Sequence, residues 1–290
     1  MIKRITMKKK ILLIDGNCVL FRMFFGLPNR ILDSSGKPIH AVVGFIGTLL
    51  KITDIFKPTH LLVVFDTETS LYRKIINPDY KNNRIKDWSV YPLNKNPFAQ
   101  LPYILRSLDF LNWKYYEALN VEADDIIAAY TRKYTNNNEI IIVSNDSDLM
   151  QLIGGNVKLY YPYGKKSVLY TKIEIEKKYG IKPEMIPDFK ALVGDKTDNI
   201  KGVAGIGEKT AKNLLLNFGK IENILTKLDN VKPEGLKIKI YKNKELILKN
   251  LSIIKLEKDM ELPYQLDDFK IINTLYRWKT MEILREINII

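Results

Sequence analysis

Three short apolar runs, each followed closely by an aspartate, constrain the fold of this 290-residue chain more than any other feature. The runs are residues 11–14, 61–65 and 140–143, and the aspartates that follow them are Asp15, Asp66 and Asp146. Uninterrupted apolar runs of this length are typical of strands buried on both faces. Helical patterns at 44–56 and 102–111 separate the runs, which predicts an α/β protein with a mostly parallel central sheet and flanking helices.

Aspartates at these positions indicate a ligand site, because such sheets bind ligands outside the carboxyl ends of their strands. Further acids lie beside predicted strand or helix ends: Glu122, Asp124, Asp125, Asp148, Asp195 and Asp198. Each one alone can be explained as a turn residue, a helix N-cap or a complement to the helix dipole. Their number favours convergence on one crevice.

A crevice of this kind requires a compensating cation. Two carboxylates about 4 Å apart repel by roughly 4 kcal/mol at an effective dielectric near 20. Oxygen ligands, without Cys or His beside them, favour Mg²⁺ or Mn²⁺ over zinc. Cys18 is therefore interpreted as a small buried hydrophobic residue, and His40 and His60 as structural.

The formal net charge of +13 indicates a polyanionic partner, nucleic acid before membrane, although a genome-wide bias toward Lys would produce the same excess. A single cysteine excludes a disulfide framework and favours a reducing compartment. The apolar run 11–14 after the basic start is too short for a signal peptide or a membrane span. A cytoplasmic protein is expected.

The segment 71–97 combines cations, aromatic residues and three prolines. A solvated surface loop would account for this composition. However, the segment follows Asp66, and long loops in compact domains are usually functional. We therefore predict that Arg73, Lys81 and Arg84 reach toward the phosphates of a nucleic acid strand.

Composition shifts toward helices and lysine near residue 170, which predicts an α/β core at 1–170 and a helical subdomain at 171–290. The glycine-rich turn 202–207 in the second part does not match a phosphate-binding P-loop, because Glu208 intervenes before Lys209 and Thr210. A helix-hairpin-helix type of turn fits better. Its glycines let backbone N–H groups approach a DNA phosphate.

Taken together, the motifs resemble the 5′ nuclease domain of bacterial DNA polymerase I, which is related to phage and eukaryotic flap endonucleases. They occur in family order over nearly the whole chain: Ile14-Asp-Gly16 with Phe21-Arg22, residues 57–66, Tyr80-Lys81 with Arg84, Glu122-Ala-Asp-Asp125, Asn145-Asp-Ser-Asp-Leu149 with Gln151-Leu152, and Gly194-Asp-Lys-Thr-Asp-Asn199 with Gly205-Ile-Gly-Glu-Lys-Thr-Ala211. The chain ends about where the nuclease domain of a polymerase would end, so it resembles a free-standing nuclease.

The resemblance implies a PIN-like, resolvase-like core and two bound Mg²⁺ or Mn²⁺ ions. One ion would be held mainly by Asp15, Asp66, Glu122 and Asp124, and the other mainly by Asp146, Asp148, Asp195 and Asp198, with Asp125 in the set but without an assigned ion. Lys81 and Arg84 would act as catalytic cations at the base of a helical arch around 71–98. The implied DNA contacts are Arg22, Arg73, Tyr80, Gly202, Gly205, Gly207, Lys209 and Thr210, with K⁺ as one candidate cation at the turn.

The expected function is metal-dependent 5′-3′ exonuclease and 5′-flap endonuclease activity on DNA in replication and repair. The expected protein is a monomer associated with the nucleoid, without a stable protein partner or a membrane. Two alternatives stay open, a non-catalytic scaffold for branched DNA and a ribonuclease of a related acidic-pocket fold. The stretch 85–98 departs from the family pattern in length and lacks its proline-rich run. Lys201 stands where the family usually has proline, and Ser147 where lysine is common.

Overall fold

The structure, a computed structural model, describes residues 8–66, 70–85, 87–271 and 279–290. Its strands are β1 (Lys10–Asp15), β2 (His60–Asp66), β3 (Lys114–Ala118), β4 (Glu139–Val143), β5 (Val157–Tyr161), β6 (Val168–Tyr170), β7 (Gly194–Asp195) and β8 (Ile200–Lys201). Its helices are α1 (Gly16–Gly26), α2 (His40–Phe56), α3 (Leu71–Ile76), α4 (Leu101–Phe110), α5 (Ala123–Tyr134), α6 (Lys172–Tyr179), α7 (Ile186–Val193), α8 (Glu208–Phe218), α9 (Ile221–Thr226), α10 (Glu234–Lys242), α11 (Lys244–Ile254) and α12 (Thr280–Glu286).

The central sheet has the strand order β3-β2-β1-β4-β5-β6. All neighbouring pairs are parallel except β5 with β6, which confirms the predicted mostly parallel α/β fold. Strand β3, with the sequence Lys-Tyr-Tyr-Glu-Ala, has neither a continuous apolar run nor a regular alternation, and it was not predicted from the sequence. In the register, Asp15 pairs with Val64 and Ile14 pairs with Val143, so β1, β2 and β4 end side by side.

Two apolar cores cover the two faces of the sheet. Along β1, Ile11 and Leu13 belong to one core, and Leu12 and Ile14 belong to the other. The first core contains α5 and continues through α7, α8 and α11, while the second contains α1, α2 and α4. The helical region therefore shares a hydrophobic core with one face of the sheet, which holds it beside the carboxyl ends of the strands.

A small antiparallel hairpin, β7 and β8, leaves helix α7 and returns toward α8. Its strands approach so closely that a Cβ atom on Gly202 would lie 2.2 Å from the carbonyl carbon of Val193, and one on Gly194 would lie 2.4 Å from the amide nitrogen of Gly202. Asn250 fastens α11 to this region by donating to the carbonyl of Ala191 at 3.1 Å and to that of Lys201 at 2.8 Å.

The segment 71–98, predicted as a helical arch, is described except for residue 86. Within it, helix is confined to Leu71–Ile76 and a 3-10 turn that begins at Pro97, and the described residues between them form turns and irregular backbone. Among the described residues, the predicted helical arch around 71–98 therefore has helix only near its two ends. In the described ranges, no helix is long and apolar enough to cross a membrane.

Candidate active site

An acidic cavity of about 300 Å³ lies where β1, β2 and β4 end. Six aspartates line it: Asp15, Asp66, Asp124, Asp146, Asp195 and Asp198. Lys81 and Arg84 line the same cavity, together with Cys18 and Phe21 of helix α1. The fold thus brings together residues that are up to 183 positions apart in the chain, Asp15 to Asp198.

The strand-end aspartates are fixed by neighbouring backbone and side chains. Asp15 is the N-cap of α1, where it accepts from the amide of Cys18 at 2.9 Å and from the hydroxyl of Ser144 at 2.7 Å. Asp66 accepts from the amide of Ala123 at the start of α5. Both carboxylates therefore keep one orientation toward the cavity.

Burial makes charge on these groups costly. Burial, reinforced by other carboxylates nearby, raises the pKa of Asp15 to about 6 and the pKa of Asp66 to about 7. Asp124, in the first turn of α5, has a pKa raised well above its usual value by burial and then by the charges of Asp146, Asp15 and Asp66. These four carboxylates form one electrostatically coupled group.

A lysine that the sequence analysis did not select holds a second group of carboxylates. The ammonium of Lys190, on α7, contacts Asp148, lies 2.7 Å from Asp195 and donates to the hydroxyl of Ser147 at 2.7 Å. Although burial opposes the charge, Asp148 and Asp195 raise the pKa of Lys190, so it stays protonated. The available sequence signal for this role was a lysine inside the otherwise largely apolar helix α7, five residues before Asp195.

The turn that carries Lys81 and Arg84 docks on the loop between β7 and β8. The amide of Lys81 donates to the carbonyl of Asp198 at 3.0 Å, and the guanidinium of Arg84 lies 2.6 Å from the Asp198 carboxylate. The Asn199 side chain donates to the carbonyl of Asp79 at 2.8 Å. Two segments distant in sequence thus place both predicted catalytic cations at the acidic cavity.

Lys81 is protonated and positively charged at neutral pH. Its ammonium donates to Glu122 at 2.8 Å. Burial by itself would lower the pKa of Lys81, but the charges of Glu122 and Asp198 outweigh it and raise the pKa. In return, burial alone would raise the pKa of Glu122, and Lys81 with Arg73 lowers it. Lys81 is therefore an electrostatic group at neutral pH and not a base.

Three predicted site residues lie in the protein interior instead. Arg73 and Asp125 are both buried and form a two-pronged pair at 2.5 and 2.8 Å, and Arg73 also donates to the carbonyl of Ile253 at 2.8 Å. Tyr80 is buried and donates to Glu122 at 3.2 Å. The polar atoms of these three residues are engaged inside the fold, which argues against Asp125 as a metal ligand and against Arg73 and Tyr80 as DNA contacts.

The glycine-rich turn divides into structural and exposed positions. Gly202 is required by the close backbone approach at the hairpin, whereas Gly205 has φ +78° and only the flexible side chain of Lys239 near its Cβ position. Gly207 is the N-cap of α8, and Lys209 is exposed in the first turn of that helix, followed by the half-buried Thr210. The helix start therefore faces solvent, with N–H groups available to an anion.

Arg22 lies beside the acidic cavity and does not line it. Its guanidinium sits 4.3 Å from the ring centre of Tyr163 and 5.5 Å from that of Tyr161. On the cavity side of α1, Phe21 packs against Trp88 at 5.5 Å between ring centres. This contact seats the irregular segment after residue 86 on α1.

The donor set fits a divalent cation. Within the described ranges no three carboxylate, imidazole or thiol groups already converge on a single ion-sized point, since Lys81, Arg84 and Lys190 occupy several of the carboxylates. Asp15 and Asp66 both line the acidic cavity, and burial raises their pKa values, so their oxygens face one space without a full compensating charge. Glu122 is already paired with Lys81 and Arg73 and does not line that cavity. Hard cations such as Mg²⁺ match all-oxygen sites of this type.

A parallel α/β sheet with a carboxylate cavity at its strand ends, joined to a helical region, defines the class of resolvase-like nuclease folds. The family model of the 5′-3′ exonuclease N-terminal resolvase-like domain matches residues 10–180 of this chain. The family model of the 5′-3′ exonuclease C-terminal SAM fold matches residues 181–275. This chain belongs to the 5′-3′ exonuclease family, which confirms the resemblance stated from the motifs.

Among curated relatives, a 5′-3′ exonuclease of Aquifex aeolicus is 35% identical over 264 residues, covering 91% of this chain and 87% of that protein. DNA polymerase I of Bacillus caldotenax is 39% identical over 269 residues, covering 90% of this chain. The match spans only 29% of that polymerase, so this chain corresponds to under a third of the length of such relatives.

Solved structures share the fold. The phage T5 5′-exonuclease with zinc bound has a TM-score of 0.71 at 22% identity and covers 96% of this chain and 99% of its own. The catalytic core of Rad2 in complex with DNA substrate has a TM-score of 0.58 at 15% identity, covering 96% of this chain and 92% of its own.

Proposed function

We propose that this protein is a metal-dependent hydrolase that cuts DNA phosphodiester bonds at 5′ ends and 5′ flaps during replication and repair. The observation that carries the proposal is the acidic cavity itself, with six aspartates and two cations around one space. Membership in the 5′-3′ exonuclease family supports the same reaction class. The proposed setting is the cytoplasm, at the nucleoid, with the protein acting as a monomer without a stable protein partner.

In this proposal, Asp15, Asp66, Asp124 and Asp146 hold one Mg²⁺ or Mn²⁺ ion, with Glu122 supporting them. Asp148, Asp195 and Asp198 hold the other ion. We place Asp146 between the two groups because, in addition to burial, its charge raises the pKa of Asp124 in the first group and of Asp148 and Asp198 in the second. When bound, such ions supply a water of lowered pKa and positive charge for the phosphate.

The chain's own cations do the remaining electrostatic work. Water adds to the phosphorus, the bond from phosphorus to the 3′ oxygen breaks, and the products carry a 5′-phosphate and a 3′-hydroxyl. Lys81 and Arg84 stabilise the negative charge that grows on the phosphate oxygens, since both face the cavity and both stay charged. Loss of one preorganised partner of this kind typically costs about 3 kcal/mol of transition-state stabilisation.

Duplex DNA would lie along the exposed start of helix α8. Gly205, Gly207, Lys209 and Thr210 supply N–H groups, a hydroxyl and a charge there, and K⁺ is the proposed cation between the turn and a phosphate. Contacts of this type fix the register of the protein on DNA without reading bases.

The direct test is cleavage of a labelled 5′-flap DNA with Mg²⁺ and with EDTA. Asp66→Ala and Asp146→Ala are expected to abolish cleavage while duplex affinity is retained, and Lys81→Ala should slow turnover about 100-fold. Asp267→Ala, at an exposed carboxylate that pairs with Lys9, is the matched control and should cleave at the wild-type rate. Equal, intact DNA in Mg²⁺ and in EDTA would support a scaffold instead, and faster cleavage of a matched RNA flap would support a ribonuclease.

A further inference from the structure

A second cavity, of about 390 Å³, opens outside the acidic one, among helices α3, α5 and α11. It is lined by Tyr72 and Arg73 of α3, Arg132 of α5, Ser252 of α11 and the segment 255–259. A volume of this size is ordinary for a small-molecule site, which measures about 300–1,000 Å³. Arg73 lies 3.4 Å from Glu122, and Glu122 accepts from Lys81 of the acidic cavity. The two cavities are therefore neighbours, joined by these three side chains.

The loop that forms one wall of this second cavity is fixed by buried side chains. The amide of Leu256 donates to the side chain of Gln151 at 3.1 Å. The amide of Glu257 donates to Asp125 at 2.9 Å, and Asp125 is held in turn by Arg73. Gln151, Asp125 and Arg73 are all buried. The wall is therefore in place before any ligand arrives.

The carboxylates at this cavity already have partners. Glu257 accepts from the amides of Lys258 and Asp259, at 2.7 and 2.8 Å. The carboxylate of Asp259 lies 2.5 Å from the guanidinium of Arg132. Neither acid is thus engaged with the side chain of Lys255 or of Lys258.

The two lysines have no compensating charge. Among all residues that the structure describes, no carboxylate forms an ion pair with Lys255 or Lys258, and both lysines line the cavity. Lys258 is half-buried, and burial lowers the pKa of its ammonium, which the charges of Lys255 and Arg132 lower further. Like charges that are held together at a partly buried position are stabilised by a bound ion of the opposite sign. The cavity is therefore a site for an anion.

A phosphate monoester fits this surplus of positive charge. It carries about −1.5 to −2 charge at pH 7, which matches two uncompensated lysines better than a single carboxylate does. Tyr72 adds an aromatic ring to the lining, and 62% of its surface is exposed. Every nucleic acid base has a flat face that stacks on such a ring. The lining therefore favours a phosphate that is joined to a base.

We propose that this second cavity binds a nucleoside 5′-monophosphate, with its phosphate at Lys255 and Lys258 and its base against Tyr72. Exonucleolytic cleavage at a 5′ end releases molecules of this class, so the role of the ligand as a product rests on the proposed function. The binding itself requires neither DNA nor a metal ion.

The test measures binding by calorimetry in EDTA, without DNA. Deoxyadenosine 5′-monophosphate, deoxyadenosine and inorganic phosphate are titrated separately into the wild-type protein. The monophosphate should bind at least about tenfold more tightly than either fragment, because it combines a charge-assisted phosphate contact with a stacked base. Equal affinity for deoxyadenosine would overturn the phosphate contact, and equal affinity for inorganic phosphate would overturn the base contact.

Variants at the lining locate the ligand. Lys258→Gln and Lys255→Gln should each weaken binding of the monophosphate about tenfold. Tyr72→Ala should weaken the monophosphate about tenfold and leave inorganic phosphate unchanged, a difference that a general loss of structure does not produce. Lys57→Gln, at the end of α2 where Lys57 pairs with Asp54, is the matched control for the loss of one positive charge and should bind like the wild type.

A further variant excludes binding in the acidic cavity. Arg84→Gln removes a cation that lines the acidic cavity and should leave the affinity for the monophosphate unchanged. Loss of binding in Arg84→Gln, together with unchanged binding in Lys258→Gln, would place the nucleotide in the acidic cavity and overturn the inference.

The outcomes separate this inference from the proposed function. If flap cleavage with Mg²⁺ is present in the same preparations while the monophosphate does not bind, only the inference has failed. If the monophosphate binds and Lys258→Gln weakens it, but no flap is cleaved, the proposed function has failed and the nucleotide site stands.

Discussion

Two adjacent acids in the first turn of α5 have opposite environments. Successive helical residues point about 100° apart, so Asp124 faces the acidic cavity while Asp125 faces Arg73 in the interior. Both residues satisfy the same sequence motif, and spacing alone does not say which one faces a ligand. The ion pair from Arg73 of α3 to Asp125 of α5 decides it, and that pair joins residues 52 positions apart in the chain.

Because Arg73 pairs with Asp125 in the interior, its removal should affect folding stability and not DNA affinity. Arg73→Ala leaves Asp125 buried without its partner, and loss of one partner of a buried pair typically costs about 3–5 kcal/mol. We expect that loss in urea unfolding, together with an unchanged affinity for DNA under conditions where the variant is folded. Arg132→Ala breaks an exposed pair with Asp259 and should cost at most about 1 kcal/mol. A stable Arg73→Ala protein with weakened DNA binding would restore the original phosphate-contact assignment.

At the scale of elements, the β7-β8 hairpin depends on Gly202, which was first interpreted as a DNA contact. A side chain at Gly202 would meet the backbone of Val193, whereas one at Gly207 would meet open space. Gly202→Ala should therefore shift the hairpin and with it Asp195 and Asp198, at a cost of about 1–3 kcal/mol in stability and with loss of cleavage. Gly207→Ala should keep the wild-type melting temperature. Equal melting temperatures for both variants would contradict this explanation.

The segment after residue 86 is a second element whose position depends on few contacts. Trp88 packs on Phe21 at 5.5 Å and lies 6.5 Å from Phe98, and ring pairs of this kind contribute about 0.5–1.5 kcal/mol each beyond their burial. Trp88→Ala should increase amide exchange and protease cleavage in residues 87–96 with little change in the global melting temperature, and Trp88→Phe should largely restore protection. Unaltered exchange in Trp88→Ala would show that other contacts hold the segment.

The fold could be predicted from the sequence where the same residue pattern recurs. It could not be predicted where contacts between distant segments determine the structure. Continuous apolar runs ending in aspartate were sufficient to predict strands β1, β2 and β4. They also predicted that the site lies at the carboxyl ends of these strands. The mixed pattern of β3 and the irregular backbone after Ile76 gave no periodic signal. Lys190 was missed because a single lysine in a helix is usually solvated, and only the fold places it between Asp148 and Asp195.

At the scale of the whole molecule, the acidic cavity makes folding stability depend on pH. In the folded protein without metal, burial raises the pKa of Asp15 to about 6 and those of Asp66 and Asp148 to about 7, and that of Asp124 is raised as well. In the unfolded chain such groups titrate near 4. Between about pH 4 and 7 the folded state therefore binds more protons, and stability falls as pH rises. Burial lowers the pKa of His60 to about 4 and also lowers the pKa of His40, so these two groups act in the opposite direction, against four raised carboxylates.

We therefore expect the metal-free protein, measured in EDTA, to melt at a higher temperature at pH 5 than at pH 7.5. Mg²⁺ binds the ionised carboxylates of the folded state, so it should raise the melting temperature at pH 7.5 more than at pH 5. Asp66→Asn removes one of the raised groups and should flatten the pH dependence, while Asp54→Asn, at an exposed carboxylate that pairs with Lys57, should leave it unchanged. A melting temperature that rises between pH 5 and 7.5 in EDTA would mean that the carboxylates are already compensated by Lys81, Arg84 and Lys190, and that the cavity has no need of a metal ion.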